Sequence, residues 1–250
     1  LALLDQSDAT LADVLRLLSD DDYRRSAMAS VGNIAIRTFW LREYKEYPAR
    51  FRIEAIAPIQ NKVGAFLANP LLHRILTHPQ QSLDLRRVMD DGKVLLVNLA
   101  KGKIGEDTAA LLGSLLVASL GASALSRADQ KQEERHDFWV YLDEFHTITT
   151  LSVATMLSEL RKYRVGFTLA HQYIAQLDEY VRAAVFGNVG TICCFRVGVE
   201  DADVVAPHFA PTIHSFDLLS LPNHSCYVRL LVDGQPTEAF SAETLPPRDQ

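Results

Sequence analysis

Cysteine is scarce: Cys193, Cys194 and Cys226 are the three in 250 residues. They are too few and too poorly spaced for a zinc site. Adjacent cysteines in a strand point to opposite faces, which argues against a disulfide framework, and reduced cytosolic thiols are the expectation. An excess of positive charge is also missing. With 25 Lys and Arg against 31 Asp and Glu the net charge is -6, which argues against a uniformly basic nucleic-acid surface but allows a local basic loop. No signal-peptide pattern, internal repeat or low-complexity tract is found. The chain begins without Met on Leu1-Ala2-Leu3-Leu4, in sequence that reads as folded, so a fragment is expected. What is present is ordinary for a globular protein, at 48% hydrophobic and 22% charged residues. The length suits one large domain or two modest ones.

The first 82 residues read as helices, and we place a helical domain at 1–82. Thr10 with Asp13 opens an amphipathic turn containing Leu11, Val14, Leu15 and Leu18. A longer pattern runs from Tyr23 to Tyr44 and ends before Pro48. A third helix carries Ile53, Ile56, Val63, Phe66 and Leu67, with a kink expected at Pro58 and a stop at Asn69-Pro70. After the turn signal Asp90-Asp91-Gly92 the pattern alternates between strands and helices. Val94 to Leu99 and Phe138 to Leu142 read as buried strands, Phe167 to Ala170 as the next and Thr191 to Val197 as another. Helices are expected between them, near 174–186 and near 200–209, and a hairpin-like pair around Asp233-Gly234. This order predicts an α/β domain over 83–250 with a parallel sheet. Thr108 to Ser126 carries no charge and approaches a bilayer-spanning length. Its Gly, Ser and Ala content and close flanking charges fit a helix packed on a sheet better.

The chemistry is concentrated where Phe138-Trp139-Val140-Tyr141-Leu142 stops at Asp143-Glu144. A parallel sheet delivers these acids to its carboxyl edge, where ligands of open α/β folds bind. Asp143 can hold Mg²⁺ through its water shell, and Glu144 can orient or deprotonate an attacking water. Adjacent acids also arise simply because a strand must end in something polar. His171-Gln172 ends the next strand on the same edge. An amide there can donate to a phosphate oxygen and accept from water, or serve as an ordinary cap. Lys101 and Lys103, among Gly102 and Gly105, form a basic loop on that edge that either touches nucleotide or DNA phosphates or is merely solvated.

Asp143-Glu144, the cluster Arg161-Lys162-Tyr163-Arg164 and Gln172 together resemble the motor domain of type IV coupling proteins. These are the TraD/TraG-type ATPases of conjugation and secretion within the HerA-FtsK superfamily. Leu157 to Arg164, then Thr168 to Leu177, Asn188 to Thr191, Phe195 to Gly198, Asp201-Ala202 and Asp217-Leu218 continue the likeness, which extends upstream through Gly92 to Leu99. The resemblance implies a RecA-like P-loop NTPase core, with 1–82 as the family's all-α insertion and 83–250 as the carboxyl-terminal part of the motor. It implies ATP and Mg²⁺ as cofactors. Asp143 becomes the metal-shell acid, Glu144 the catalytic base, Gln172 the γ-phosphate sensor and Arg161 the arginine finger reaching a neighbouring subunit, with Arg164 in reserve. DNA, a homo-oligomeric ring of hexameric type, and relaxosome or secretion-channel proteins are the implied partners. The implied location is the cytoplasmic face of the inner membrane for a full-length protein, and the cytoplasm for this piece, which has no membrane segment of its own.

The resemblance breaks at the phosphate-cradling loop, because Gly-x-x-x-x-Gly-Lys-Ser/Thr occurs nowhere in the chain. Lys101-Gly102-Lys103 lacks its spacing and hydroxyl. Truncation is the expected cause, and hydrolysis by this polypeptide alone is not expected. His146 and Thr147 take no role at this stage. A related HerA/VirB-type ring ATPase for protein export or DNA processing, and a non-catalytic interaction module, are the competing readings.

Overall fold

The computed structural model describes residues 2, 3, 6, 8–78, 83–148 and 151–246, without the side chains of 151 and 152. Leu1 and Leu4 of the opening run, and residue 82 at the expected domain boundary, lie outside the described residues. The chain divides into two compact units, Leu1–Asp84 and Leu85–Gln250.

The first unit is helical: α1 (Leu11–Ser19), α2 (Asp21–Ala29), α3 (Ile34–Thr38), α4 (Tyr44–Glu46), α5 (Ala49–Ala68) and α6 (Pro70–Leu76). The amide and hydroxyl of Thr10 both donate to Asp13, at 2.9 and 3.0 Å, so α1 starts where the sequence placed it. The single helix expected from Tyr23 to Tyr44 is instead broken at Gly32-Asn33. Asn33 caps α3 by accepting from the amides of Ala35 and Ile36, and a π-helical turn, Phe39–Glu43, leads into α4. A side chain that satisfies free amides favours a new helix start over continuation of the old one. Asn69 ends α5 and caps α6 in the same way, as Asn69-Pro70 predicts, and α5 contains Pro58. Buried Arg24 donates to the carbonyls of Leu17 and Leu18 at the end of α1, and Tyr44 donates to Leu18 as well. A cation is favoured at a helix carboxyl end.

The second unit contains α7 (Leu85–Asp90), α8 (Lys101–Ile104), α9 (Glu106–Ser126), β1 (Phe138–Leu142), α10 (Leu151–Glu159), β2 (Val165–Leu169), α11 (Glu179–Asn188), β3 (Ile192–Cys194), α12 (Val199–Val205), α13 (Ser215–Leu219), β4 (Ser225–Arg229), β5 (Leu231–Val232), β6 (Gln235–Pro236) and β7 (Phe240–Glu243). β1 and β2 pair in parallel with Phe138 opposite Val165 and Leu142 opposite Leu169. Val140 and Val165 pack with Met89, Val117, Leu120, Met156 and Leu160 in the main core. Helix α9 is long and apolar enough to cross a membrane by length and composition. Its Val117, Leu120 and Ala124 belong to that core, which is the packed helix the sequence favoured.

Three strand expectations are corrected. Val94 to Leu99 forms no strand. Val94 is 87% and Leu96 90% exposed, and only Leu95 of the run packs on the main core. An apolar run becomes a strand only if a neighbouring backbone completes its ladder, and no described segment does so. Second, β1 is buried on one face only. Val140 points into the core while Trp139 is 63% and Tyr141 73% exposed, as the two-residue period of a strand requires. Third, the strand expected from Thr191 to Val197 is shorter and is not part of the parallel sheet. β3 pairs antiparallel with β4, which pairs with β7, over a separate core of Cys194, Ala202, Val205, Phe209 and Leu218. The helices expected near 174–186 and 200–209 are also interrupted, each being an α-helix joined to a 3-10 turn. The hairpin does form. β5 and β6 are joined by Asp233 and Gly234 at φ 49° and 79°, the left-handed pair a two-residue turn needs.

Gly113 on α9 marks a close approach in the second unit. A Cβ there would stand 2.3 Å from Cγ2 of Ile148 and 3.1 Å from Cδ1 of Leu99. Ile148 is β-branched and has little rotamer freedom with which to yield. Gly113→Ala should therefore destabilise the unit by about 1–3 kcal/mol, read as a lower urea midpoint at unchanged slope. An unchanged midpoint would show that this contact is not tight.

Candidate functional site

The parallel register brings the sequence-predicted residues of the carboxyl edge together. One residue beyond the end of β1 is Asp143, followed by Glu144. The two strands stay joined past their ends, since Ala170 donates to the carbonyl of Leu142 at 2.9 Å and Phe145 donates to that of Ala170 at 3.2 Å. Glu144 adopts φ 47° and ψ 43°, a left-handed conformation that turns the chain sharply out of the strand. A residue other than glycine held there carries about 1–3 kcal/mol of strain. Phe145, fully buried, anchors the turn with Leu177, Val181 and Val185.

The result is a carboxylate hydrogen-bonded at one oxygen and approached by an imidazole at the other. Gln172 donates its amide to Oε1 of Glu144, and His146 Nδ1 lies 3.4 Å from Oε2. A cavity of about 500 Å³ opens here, lined by Lys101, Asp143, Glu144, His146, Gln172 and Tyr173 among others. His146, to which the sequence gave no role, is therefore part of the site. Among the described residues no group of three or more His, Cys, Asp or Glu could hold a metal ion. The donor set fits Mg²⁺ held through water and phosphate oxygens, which needs only one or two carboxylates, and Asp143 is exposed at the cavity.

The two lysines part company. Lys101 lines the cavity, with its Nζ 3.7 Å from Glu106, whereas Lys103 does not. Both sit on the short helix α8, where the sequence suggested a loop. Arg161 and Arg164 are elsewhere. They lie in the turn that precedes β2, and Phe138 at the start of β1 donates to the carbonyl of Arg164, so this turn is at the amino edge of the sheet. The five residues of β2 separate it from the edge bearing the acids, roughly 16 Å at the rise of a parallel strand. Arg164 has φ 58° and is ion-paired with Asp137 at 3.1 Å, and Lys162 is paired with Glu159 at 2.9 Å. Arg161 is exposed and has no ion pair among the described residues.

Asp201 is a contributor whose role the sequence did not reveal. Only 7% exposed, it accepts from the amide of Ile174 at 3.2 and 3.3 Å. It thereby ties α12 to the segment two residues beyond Gln172. Its charge, after burial, also helps push the Cys194 thiol up to about 11. A buried carboxylate receiving a backbone amide leaves no periodic trace in sequence, because the partner is distant along the chain.

No family model matches the chain, and no curated protein matches it either. Solved structures do. The structure described as plasmid coupling protein TrwB in complex with the non-hydrolysable ATP analogue ADPNP superposes with a TM-score of 0.64 at 14% identity, over 94% of this chain and 57% of that one. The bacterial conjugative coupling protein TrwBdeltaN70, in a trigonal form with sulphate, gives 0.67 at 14% identity over the same shares. TrwB in complex with ADP and Mg²⁺ gives 0.61 at 13% identity, over 95% of this chain and 61% of that one. The chain thus has the RecA-like P-loop NTPase fold of these coupling proteins and spans less than two thirds of their length.

Replacing Asp201 with Ala strands the buried Ile174 amide and should cost about 1–3 kcal/mol, with faster hydrogen exchange at Ile174. Asp201→Asn keeps an acceptor and should lose less. Equal effects of the two variants would contradict the role given to this hydrogen bond.

Proposed function

We propose that the chain is part of a DNA-translocating ring ATPase of the TraD/TraG coupling type, in which ATP hydrolysis drives DNA transfer in conjugation or type IV secretion. The observation that carries this reading is the convergence of Asp143, Glu144 and Gln172 on one cavity at the carboxyl edge of a parallel strand pair. The fold shared with nucleotide-bound TrwB supports it.

In this reading Asp143 accepts from water around the metal, and Glu144 takes a proton from the attacking water. Gln172 holds the Glu144 carboxylate before nucleotide arrives, and its amide N–H would donate to the γ-phosphate instead when nucleotide is bound. Mg²⁺, when bound, neutralises phosphate charge. Lys101 faces the phosphates from the cavity wall, and Lys103 is left for DNA. Arg161 cannot serve its own subunit's cavity from the opposite edge of the sheet, so it acts on the cavity of a neighbour in the ring. A homo-hexamer, relaxosome or secretion-channel partners and attachment to the inner membrane in the full-length protein belong to the same reading. This chain has no Gly-x-x-x-x-Gly-Lys-Ser/Thr sequence, so by itself it should not hydrolyse ATP.

The test uses full-length protein with ATP, Mg²⁺ and DNA. Glu144→Gln should bind ATP normally while turnover falls by roughly 10²–10⁴-fold, and Arg161→Ala should lose on the order of 10³-fold or more. Full turnover in Glu144→Gln would remove the central assignment. Turnover indifferent to DNA would instead favour a motor that exports protein.

A further inference from the structure

The segment 127–137 reads in sequence as a polar linker, yet it contains a fully buried charged side chain. Arg127 is 0% exposed. Its guanidinium is in ion-pair range of Asp90 at 3.1 Å and donates to the carbonyls of Tyr163, at 3.0 Å, and His136, at 2.7 Å. Arg135 continues the arrangement. It donates to the carbonyls of Arg127 at 3.0 Å, Gln130 at 2.6 Å and Lys162 at 2.6 Å, and its guanidinium lies 5.1 Å from the ring centre of Tyr163. Arg86 closes the set by pairing with both Asp90 and Asp129.

Burying a guanidinium is costly unless its donors are matched, and a planar fork with five donors suits several carbonyls at once. Here that capacity is directed at one place. The carbonyls of Lys162 and Tyr163 are the two immediately after Arg161, in the turn that reverses the chain into β2. The two cations that follow Arg161 are held by carboxylates within the same chain, Lys162 by Glu159 and Arg164 by Asp137. The turn is therefore fixed from behind while Arg161 projects from it as an exposed cation.

We infer that Arg127 and Arg135 are positioning residues for Arg161, holding its turn in the one arrangement that presents the guanidinium to a neighbouring subunit. This inference rests on the reading of Arg161 as a finger acting between subunits. A charge that must meet a transferring phosphate across an interface gains from a rigid mount, since misplacement by about 1 Å can cost roughly a hundredfold in rate. Both arginines act through the backbone, since their hydrogen bonds go to carbonyls.

The experiment measures steady-state ATP hydrolysis by full-length protein carrying Arg135→Gln, Arg135→Lys, Arg161→Ala or Arg135→Gln with Arg161→Ala. Arg135→Gln should lower kcat by roughly ten- to a hundredfold with KM for ATP unchanged. Arg135→Lys keeps the charge and stem but not the fork, and should also lower kcat, at an unfolding temperature near that of the parent. The double variant should be no slower than Arg161→Ala alone, because a mount has no effect once its finger is gone. Mixed rings give a second readout. Subunits bearing Arg135→Gln should regain turnover when mixed with Glu144→Gln subunits, as Arg161→Ala subunits should, because the defect lies in what each supplies to its neighbour. Multiplicative loss in the double variant, failure of mixing to restore turnover, or parental kcat in both Arg135 variants would overturn the inference. If Arg161→Ala itself keeps parental turnover, the finger reading fails instead, and the two failures are separate.

Discussion

The site depends on a parallel register of five residue pairs. Because Leu142 faces Leu169 across β1 and β2, the acids following one strand and the glutamine following the other reach the same edge at the same height. The hydrogen bond from Gln172 to Glu144 is the direct consequence. A slip of one residue would turn every side chain of β1 to the opposite face, moving Val140 out of the core and Trp139 into it. The hydrophobic core and the site are therefore specified by the same pairing, and neither can be altered without the other.

The sheet separates two tasks by its two edges. At the carboxyl edge, Glu144 sits in a left-handed turn with Gln172 donating to one carboxylate oxygen and His146 3.4 Å from the other. At the amino edge, arginines bury their charge to hold a turn that leaves one guanidinium exposed. The strands between keep the Arg161 turn and the cavity at opposite edges, which is why the proposed reading gives Arg161 the cavity of a second copy. Asp201 adds a third connection, from the antiparallel sheet's core to the segment beyond Gln172.

Much of this was legible in the amino-acid sequence, and for identifiable reasons. Phe138 to Glu144 carries its own strand signal and its own stop. Asn69-Pro70, Thr10 with Asp13 and Asp233-Gly234 are local signals whose partners are a few residues away, and each formed as expected. Failures came where the outcome depends on distant backbone. Val94 to Leu99 has strand composition but no ladder partner, and Thr191 to Val197 gives no sign of whether its neighbour runs parallel or antiparallel. The same limit hid His146 and Asp201, whose roles appear only once residues from separate elements meet. Arg127 was the least legible, since a charged residue ending an apolar helix ordinarily marks the surface.

The central claim is that Glu144 and Gln172 face the terminal phosphate of a bound nucleotide. A structure of the full-length assembly with a non-hydrolysable ATP analogue and Mg²⁺ measures this directly. The account predicts the γ-phosphate within hydrogen-bonding distance of the Gln172 amide, a water between Glu144 and that phosphate, and Asp143 in the water shell of the metal. Nucleotide bound away from this cavity, or Glu144 still gripped by Gln172 with the phosphates elsewhere, would contradict it.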